Sequence, residues 1–160
     1  MSIEIMTTGG TIDKIYFDNK SSYEIGDPQI GEVLRDANLT IKYWVKPLLR
    51  KDSLDLTTED RELIKSMVLE SSAERIVITH GTDTMVETAQ FLSGIPERTI
   101  VLTGSMQPAR FRFTDAIYNI ASALTAVQLL PAGVWIAMNG QIHDPANTRK
   151  NVEMNRFETI

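Results

Sequence analysis

The sequence predicts an α/β domain of three layers, with a mostly parallel sheet between helices and a hairpin or flap after the first strand. Three observations predict it. Continuous apolar runs at 75–79 ("RIVIT"), 99–104 ("TIVLTG") and 133–139 ("GVWIAMN") have the pattern of strands buried on both faces. Helix-patterned segments separate them, at intervals that suit right-handed crossovers. The distinctive polar clusters fall just past the carboxyl ends of the strands, the edge where open α/β sheets bind ligands.

Taken in order, residues 2–6 read as a short first strand, followed by Thr7-Thr8-Gly9-Gly10-Thr11-Ile12. A glycine pair there either makes a plain tight turn, because glycine accepts positive φ, or holds a threonine hydroxyl where chemistry occurs. Residues 12–26 are too long for an ordinary strand–helix connection, which is the reason to expect a hairpin or flap. Asp27-Pro28 then opens a helix with an inner stripe of Ile30, Val33, Leu34 and Ala37. Residues 39–45 alternate at period two and read as the second strand. Thr57 opens a second helix on Leu63, Ile64, Met67 and Val68. Thr84 and Glu87 have capping-box spacing for a third, which Gly94 is placed to end. A fourth runs from about Thr114 to Leu130 on Ile117, Ile120, Ala121 and Leu124. No linker, repeat or low-complexity stretch interrupts the chain, so 1–160 reads as one domain without a second.

Composition narrows the chemistry. The 160 residues are 42% apolar and 23% charged, ordinary for a chain that buries a core. There is no cysteine, which excludes disulfides, thiolate nucleophiles and thiolate zinc sites together. A net charge of −5 argues against nucleic acid as a partner. No apolar stretch approaches a membrane span, and "MSIEIM" lacks a signal peptide's basic region, so the expectation is a cytoplasmic protein with no membrane partner.

The polar clusters are Thr11 after the first strand and Ser53 with Asp55 after the second. "HGTDT" (80–84), "SMQPAR" (105–110) and "NGQIHDPANTRK" (139–150) follow the next three. The phosphate-cradling motifs GxGxxG and GxxxxGK[ST] are absent, as is the nucleophile elbow GxSxG. His80 and His143 have no ligand spacing, and a histidine beside a turn is commonly a hydrogen-bonded structural residue. What remains is hydroxyls, a carboxylate and Lys150. A threonine hydroxyl is a poor nucleophile until a neighbour removes its proton, and a desolvated lysine can serve. Lys150 could equally be a solvated lysine, and Asp83 could merely favour a helix N-terminus.

Thr8-Gly9-Gly10-Thr11-Ile12 and His80-Gly81-Thr82-Asp83-Thr84-Met85 resemble the two signature motifs of the bacterial-type L-asparaginase/glutaminase family, in its order and near its spacing. "KDSLDLT" (51–57) is similar to its substrate-carboxylate loop. "LTGSMQP" (102–108) with Asp115 and Asn119, and "AMNGQIHDPANTRK" (137–150), are similar to the segments that follow, the last placing the family's lysine on Lys150. The resemblance implies a short form of the N-terminal catalytic domain that hydrolyses L-asparagine to L-aspartate and ammonia, without cofactor or metal. It implies Thr11 as the nucleophile that forms an acyl-enzyme, and Tyr23 on the hairpin as its activator. Thr82, Asp83 and Lys150 would move protons and orient water. Gly10 and Gly81 would line the substrate, Ser53 would hold its α-carboxylate and Asp83 its ammonium. Leu54 stands where many members have glutamine, Asp13 where a small residue is common, and Arg149 is an unusual neighbour for the lysine.

The family's usual members continue into a second domain that completes the site from a neighbouring protomer. A domain without it would expose apolar surface, so a homo-oligomer, dimer or tetramer, is expected. Two other functions stay open: glutamine or another short amide as substrate, and a catalytically silent amino-acid-binding module. A pure binder has no need of nucleophile and proton carrier together.

Overall fold

The computed structural model describes residues 1–17 and 22–160. In chain order these form β1 (Ser2–Gly9), β2 (Lys14–Phe17), β3 (Ser22–Ile25), α1 (Ile30–Asp36), β4 (Lys42–Lys51), α2 (Thr58–Glu70) and β5 (Arg75–Thr79). There follow α3 (Met85–Phe91), β6 (Thr99–Thr103), α4 (Ala116–Leu129), β7 (Gly133–Met138), β8 (Gln141–His143), β9 (Thr148–Asn151) and β10 (Arg156–Thr159). The main sheet has the order β4-β1-β5-β6-β7-β8, parallel throughout except for β8. No helix among the described residues is long and apolar enough to cross a membrane.

Alternation along the central strands fills both faces. Met6, Ile76, Ile78, Ile100, Leu102 and Ile136 pack with Ile64, Val68, Met85, Ala89 and Leu92, and so bury α2 and α3 on one side. Ile3, Ile5, Val77, Val101 and Ala137 pack with Ile30 and Leu34 of α1 and Ile120, Ala123 and Val127 of α4 on the other. Each fully buried aliphatic side chain stabilises by ~1.5–3 kcal/mol, so these two layers fix where the strand ends lie.

The expected hairpin is present: β2 and β3 pair antiparallel from Lys14↔Ile25 to Phe17↔Ser22. The expected flap tip, residues 18–21, lies outside the described residues. Other expectations need correction. The second strand starts later than position 39 and runs through Pro47 to Lys51. Its partner in the sheet is β1, so it lies at an edge where proline's missing N–H is tolerated. The first helix begins at Ile30, not at Asp27-Pro28; Asp27 instead pairs with Arg50 at 2.6 Å. The capping box at Thr57 is real but uses Asp60. The one expected at Thr84 is not formed, because the Thr84 hydroxyl donates to Ser53 O at 2.7 Å and Glu87 pairs with Arg61.

The inner stripe of α4 is also rotated from its expected place. Ile117 is 57% exposed and Ala121 faces outward, while Ala116, Ala123 and Val127 point in. Small alanines let α4 sit close to the sheet, which an amphipathic count based on large residues does not see. In the same way Ala37 of the first stripe is exposed.

Candidate active site

Three strand exits converge on one spot. Gly9 and Gly10 have φ of 103° and 87°, open only to glycine at low cost. A Cβ on Gly10 would lie 2.5 Å from Gly81 Cα, and one on Gly81 would lie 2.7 Å from Ser53 Oγ. The turns after β1, β5 and β4 therefore stack closely, with Thr11 and Thr82 each one residue beyond the contact. The Gly10 N–H donates to Lys51 O at 2.9 Å, so Gly10 serves the site by its missing side chain rather than by its amide.

Lys150 arrives from a direction that strand counting does not foresee. It lies on β9, not in an exit loop, and β9 pairs antiparallel with β10. Phe157 of β10 is buried in the core, and its N–H donates to Asn139 Oδ1 at 2.8 Å. From this anchored ribbon Lys150 Nζ donates to Thr82 Oγ1 at 2.8 Å and to Asp83 Oδ1 at 2.7 Å. The Lys150 side chain is 13% exposed. Its neighbour Arg149 belongs to the opposite face of the strand and pairs with Glu158 at 2.8 Å. That guanidinium, with Asn151 next, holds the Glu158 carboxyl below its usual range.

His80 is not a base in this arrangement. It is fully buried, and desolvation pushes its imidazole down to about 4, so the ring is neutral. Nδ1 lies 2.7 Å from Gly81 O, which can only accept, so Nδ1 carries the proton. Nε2 then accepts from the Thr88 hydroxyl at 2.8 Å, and Arg61 Nε donates to Thr88 Oγ1 at 3.0 Å. The chain Arg61–Thr88–His80 ends on the carbonyl just before Thr82 and fixes that peptide. His143 is buried too, with Nε2 3.2 Å from Met138 O and its ring against Phe157, on the ribbon side.

Thr11 opens into a cavity of about 240 Å³ that it lines with Lys14, Tyr23, Gln107, Pro108 and Phe111. Tyr23 is 52% exposed and packs between Tyr16 and Phe111, at ring-centroid distances of 5.3 and 6.0 Å. Gln107 is held because Asp115 accepts from the Met106 and Gln107 N–H groups, and Asn119 Nδ2 donates to Gly104 O. Ser53 is buried under Gly81, with Oγ accepting from Thr84 N–H at 3.3 Å, while Leu54 beside it is exposed. Lys14 and Phe111 were missed by sequence reasoning. Neither belongs to a periodic pattern, and only the length of the 12–26 segment hinted that its arms return to the sheet edge.

The structure thus joins Thr82, Asp83 and Lys150 by hydrogen bonds, places Thr11 and Tyr23 on one cavity, and joins the two groups through Gly10 and Gly81. A family model described as "Asparaginase, N-terminal" matches residues 2–160. The chain is 32% identical over 170 residues to the L-asparaginase of Thermococcus kodakarensis, a match that covers 100% of this chain and 51% of that one. It is 29% identical over 174 residues to the glutaminase-asparaginase of Acinetobacter glutaminasificans, covering 96% and 50%. The solved structure of the thermostable L-asparaginase from Thermococcus kodakarensis matches with a TM-score of 0.87 and 29% identity, over 100% of this chain and 51% of that chain. The chain therefore spans about half the length of these curated relatives.

Proposed function

The chain belongs to the asparaginase family, and from that premise we propose that it hydrolyses the side-chain amide of L-asparagine to L-aspartate and ammonia. Thr11 Oγ1 attacks the amide carbon while its proton passes, with help from Tyr23, toward the leaving nitrogen. Collapse of the tetrahedral intermediate expels ammonia and leaves a threonyl ester. Thr82, Asp83 and Lys150 then orient a water and take its proton, and the ester breaks to carboxylate and free Thr11. Backbone N–H groups beside Thr11 and Thr82 stabilise the oxyanion, at ~3 kcal/mol per donor. Ser53 and Asp83 hold the substrate's carboxylate and ammonium. The bond broken is a C–N bond and water supplies the atoms, so side chains suffice.

The observation that carries this reading is Lys150 Nζ within hydrogen-bond reach of both Thr82 and Asp83, one residue from the Gly10–Gly81 contact. An amine, a carboxylate and a second hydroxyl beside the Thr11 turn are what proton transfer needs and what mere binding does not. An ammonia-release assay on the purified protein beside Thr11→Ala tests it: activity lost in the variant is expected, and activity kept there overturns the nucleophile.

A second substrate is favoured by the relative named glutaminase-asparaginase. One methylene is worth only ~1–3 kcal/mol of discrimination, so competition of asparagine against glutamine, read as kcat/KM, decides the preference. Calorimetry showing asparagine bound with no ammonia formed would establish a silent binding module instead. Self-association belongs to the same proposal: Tyr118, Ala121, Leu129 and Ile142 line an outward apolar cavity of about 510 Å³ on α4. A compact monomer in sedimentation would remove it.

A further inference from the structure

Asp13 is 2% exposed and sits two residues past Thr11 in the same turn. Three of its hydrogen-bonding groups reach different parts of the site. Its N–H donates to Gly10 O at 3.1 Å, and its carbonyl accepts from Gly26 N–H, at the base of the hairpin, at 2.8 Å. Its carboxyl Oδ1 accepts from Gln29 N–H, just before α1, at 2.9 Å. The Gln29 side chain carries the connection onward: Arg110 Nε donates to Gln29 Oε1 at 2.8 Å. Ala109 N–H returns to Ile12 O at 3.0 Å, and Phe111, the next residue after Arg110, is the seat of the Tyr23 ring.

An asparagine would make the same contacts without an ionisable group in a dry place, so the carboxyl adds something that geometry alone does not require. We propose that Asp13 is a positioning residue of this site, tying the Thr11 turn, the hairpin base and α1 together, and that its ionisation loosens the tie. The inference rests on Thr11 and Tyr23 acting as proposed above. Burial pushes the Asp13 carboxyl up to about 7, against the opposing pull of the Gln29 N–H and of Arg50. The charged groups around it are otherwise engaged. Arg50 of β4 pairs with Asp27, Lys14 of β2 faces Asp52 at 3.5 Å, and Arg110 is held by Gln29. Glu32 of α1 is exposed. Any opening that hydrates Asp13 releases its proton, so opening becomes easier as pH rises from below 5 toward 7 and levels off above. His80, pushed down to about 4, does not titrate over the upper part of that range.

The test combines hydrogen exchange and kinetics. Exchange at the Gly26 and Gln29 amides, corrected for intrinsic rate, is followed from pH 5 to 8 in wild type and Asp13→Asn. Expected is a loss of protection of about tenfold or more in wild type between pH 5 and 7, and none in Asp13→Asn. On the kinetic side, Asp13→Ala is expected to lower kcat for asparagine about tenfold, and Asp13→Asn, which keeps the acceptor, to stay within about twofold of wild type. Protection that is independent of pH in wild type, or equally dependent in Asp13→Asn, overturns the inference, as does an Asp13→Ala enzyme with unchanged kcat. Should Asp13→Ala fail to fold, the exchange comparison decides by itself. If wild type hydrolyses no amide, the proposed function falls, and the exchange comparison still tests the tie.

Discussion

Lys150 reaches its side of the site through hydrogen bonds of 2.8 and 2.7 Å, from a ribbon whose Phe157 is locked in the core. Tyr23 reaches the other side from a two-stranded hairpin, half exposed, with rings rather than hydrogen bonds as its described neighbours. Charge-assisted bonds fix both distance and direction, whereas tilted ring contacts permit sliding over a broad range. The Lys150 cluster is thus fixed in distance and direction, and Tyr23 rests on a softer element. If the proposed roles hold, damage on the two sides should differ in kind: loss of chemistry with the fold intact on one, loss of alignment on the other.

The largest effect belongs to Thr11→Ala, expected to reduce ammonia release on the order of 10⁴-fold with little change in Tm, because it deletes the proposed attacking atom and one small side chain. Lys150→Met comes next, at roughly 10³-fold in kcat. Its stability cost should stay within about 1 kcal/mol, since Asp83 keeps access to water. A much larger drop in Tm would mean that the cluster is structural and would break the contrast. Tyr23→Phe keeps the ring stack and removes only the hydroxyl, so a fall of about tenfold in kcat is expected, read beside Phe111→Ala. If Phe111→Ala raises KM and leaves kcat alone, ring packing sets substrate fit rather than Tyr23's reach, and the comparison sharpens.

The last prediction concerns stability rather than rate. The Asp13 carboxyl is raised in the folded protein from 3.8 to about 7, so its protonated form contributes stability fully below pH 3.8 and loses it as pH rises to 7. Asp13→Asn should therefore be more stable than wild type at pH 8, by at most ~4 kcal/mol, and closer to it at pH 5. Thermal melts at the two pH values measure the difference.

Much of this could be read in the residues beforehand. Alternation and apolar runs located the central strands, and the positions of Thr11, Thr82 and Asp83 past strand ends pointed to one edge. The misses have physical causes. Met138-Asn139-Gly140-Gln141 carries the Asn-Gly signal of a tight hairpin, and φ of 54° and 74° at its centre confirms it. As a two-residue turn, that signal places β8 and a chain reversal before Lys150. The buried face of α4 differs from the expected one because alanines, not isoleucine at 117, make the close contact. Thr84 has the spacing of a cap, yet tertiary contact with Ser53 takes its hydroxyl. Spacing along a chain cannot register a partner 31 positions away.

The closeness of positions 10 and 81 has a consequence for how such a site can vary. A methyl group at either would have to displace main chain or Ser53, so the two cannot be adjusted one at a time. Given the proposed activity, randomising both codons and selecting for growth on asparagine as nitrogen source should return the smallest residue at each. Any tuning of rate or preference would then have to accumulate around the rim, at places such as Lys14, Leu54 and Phe111.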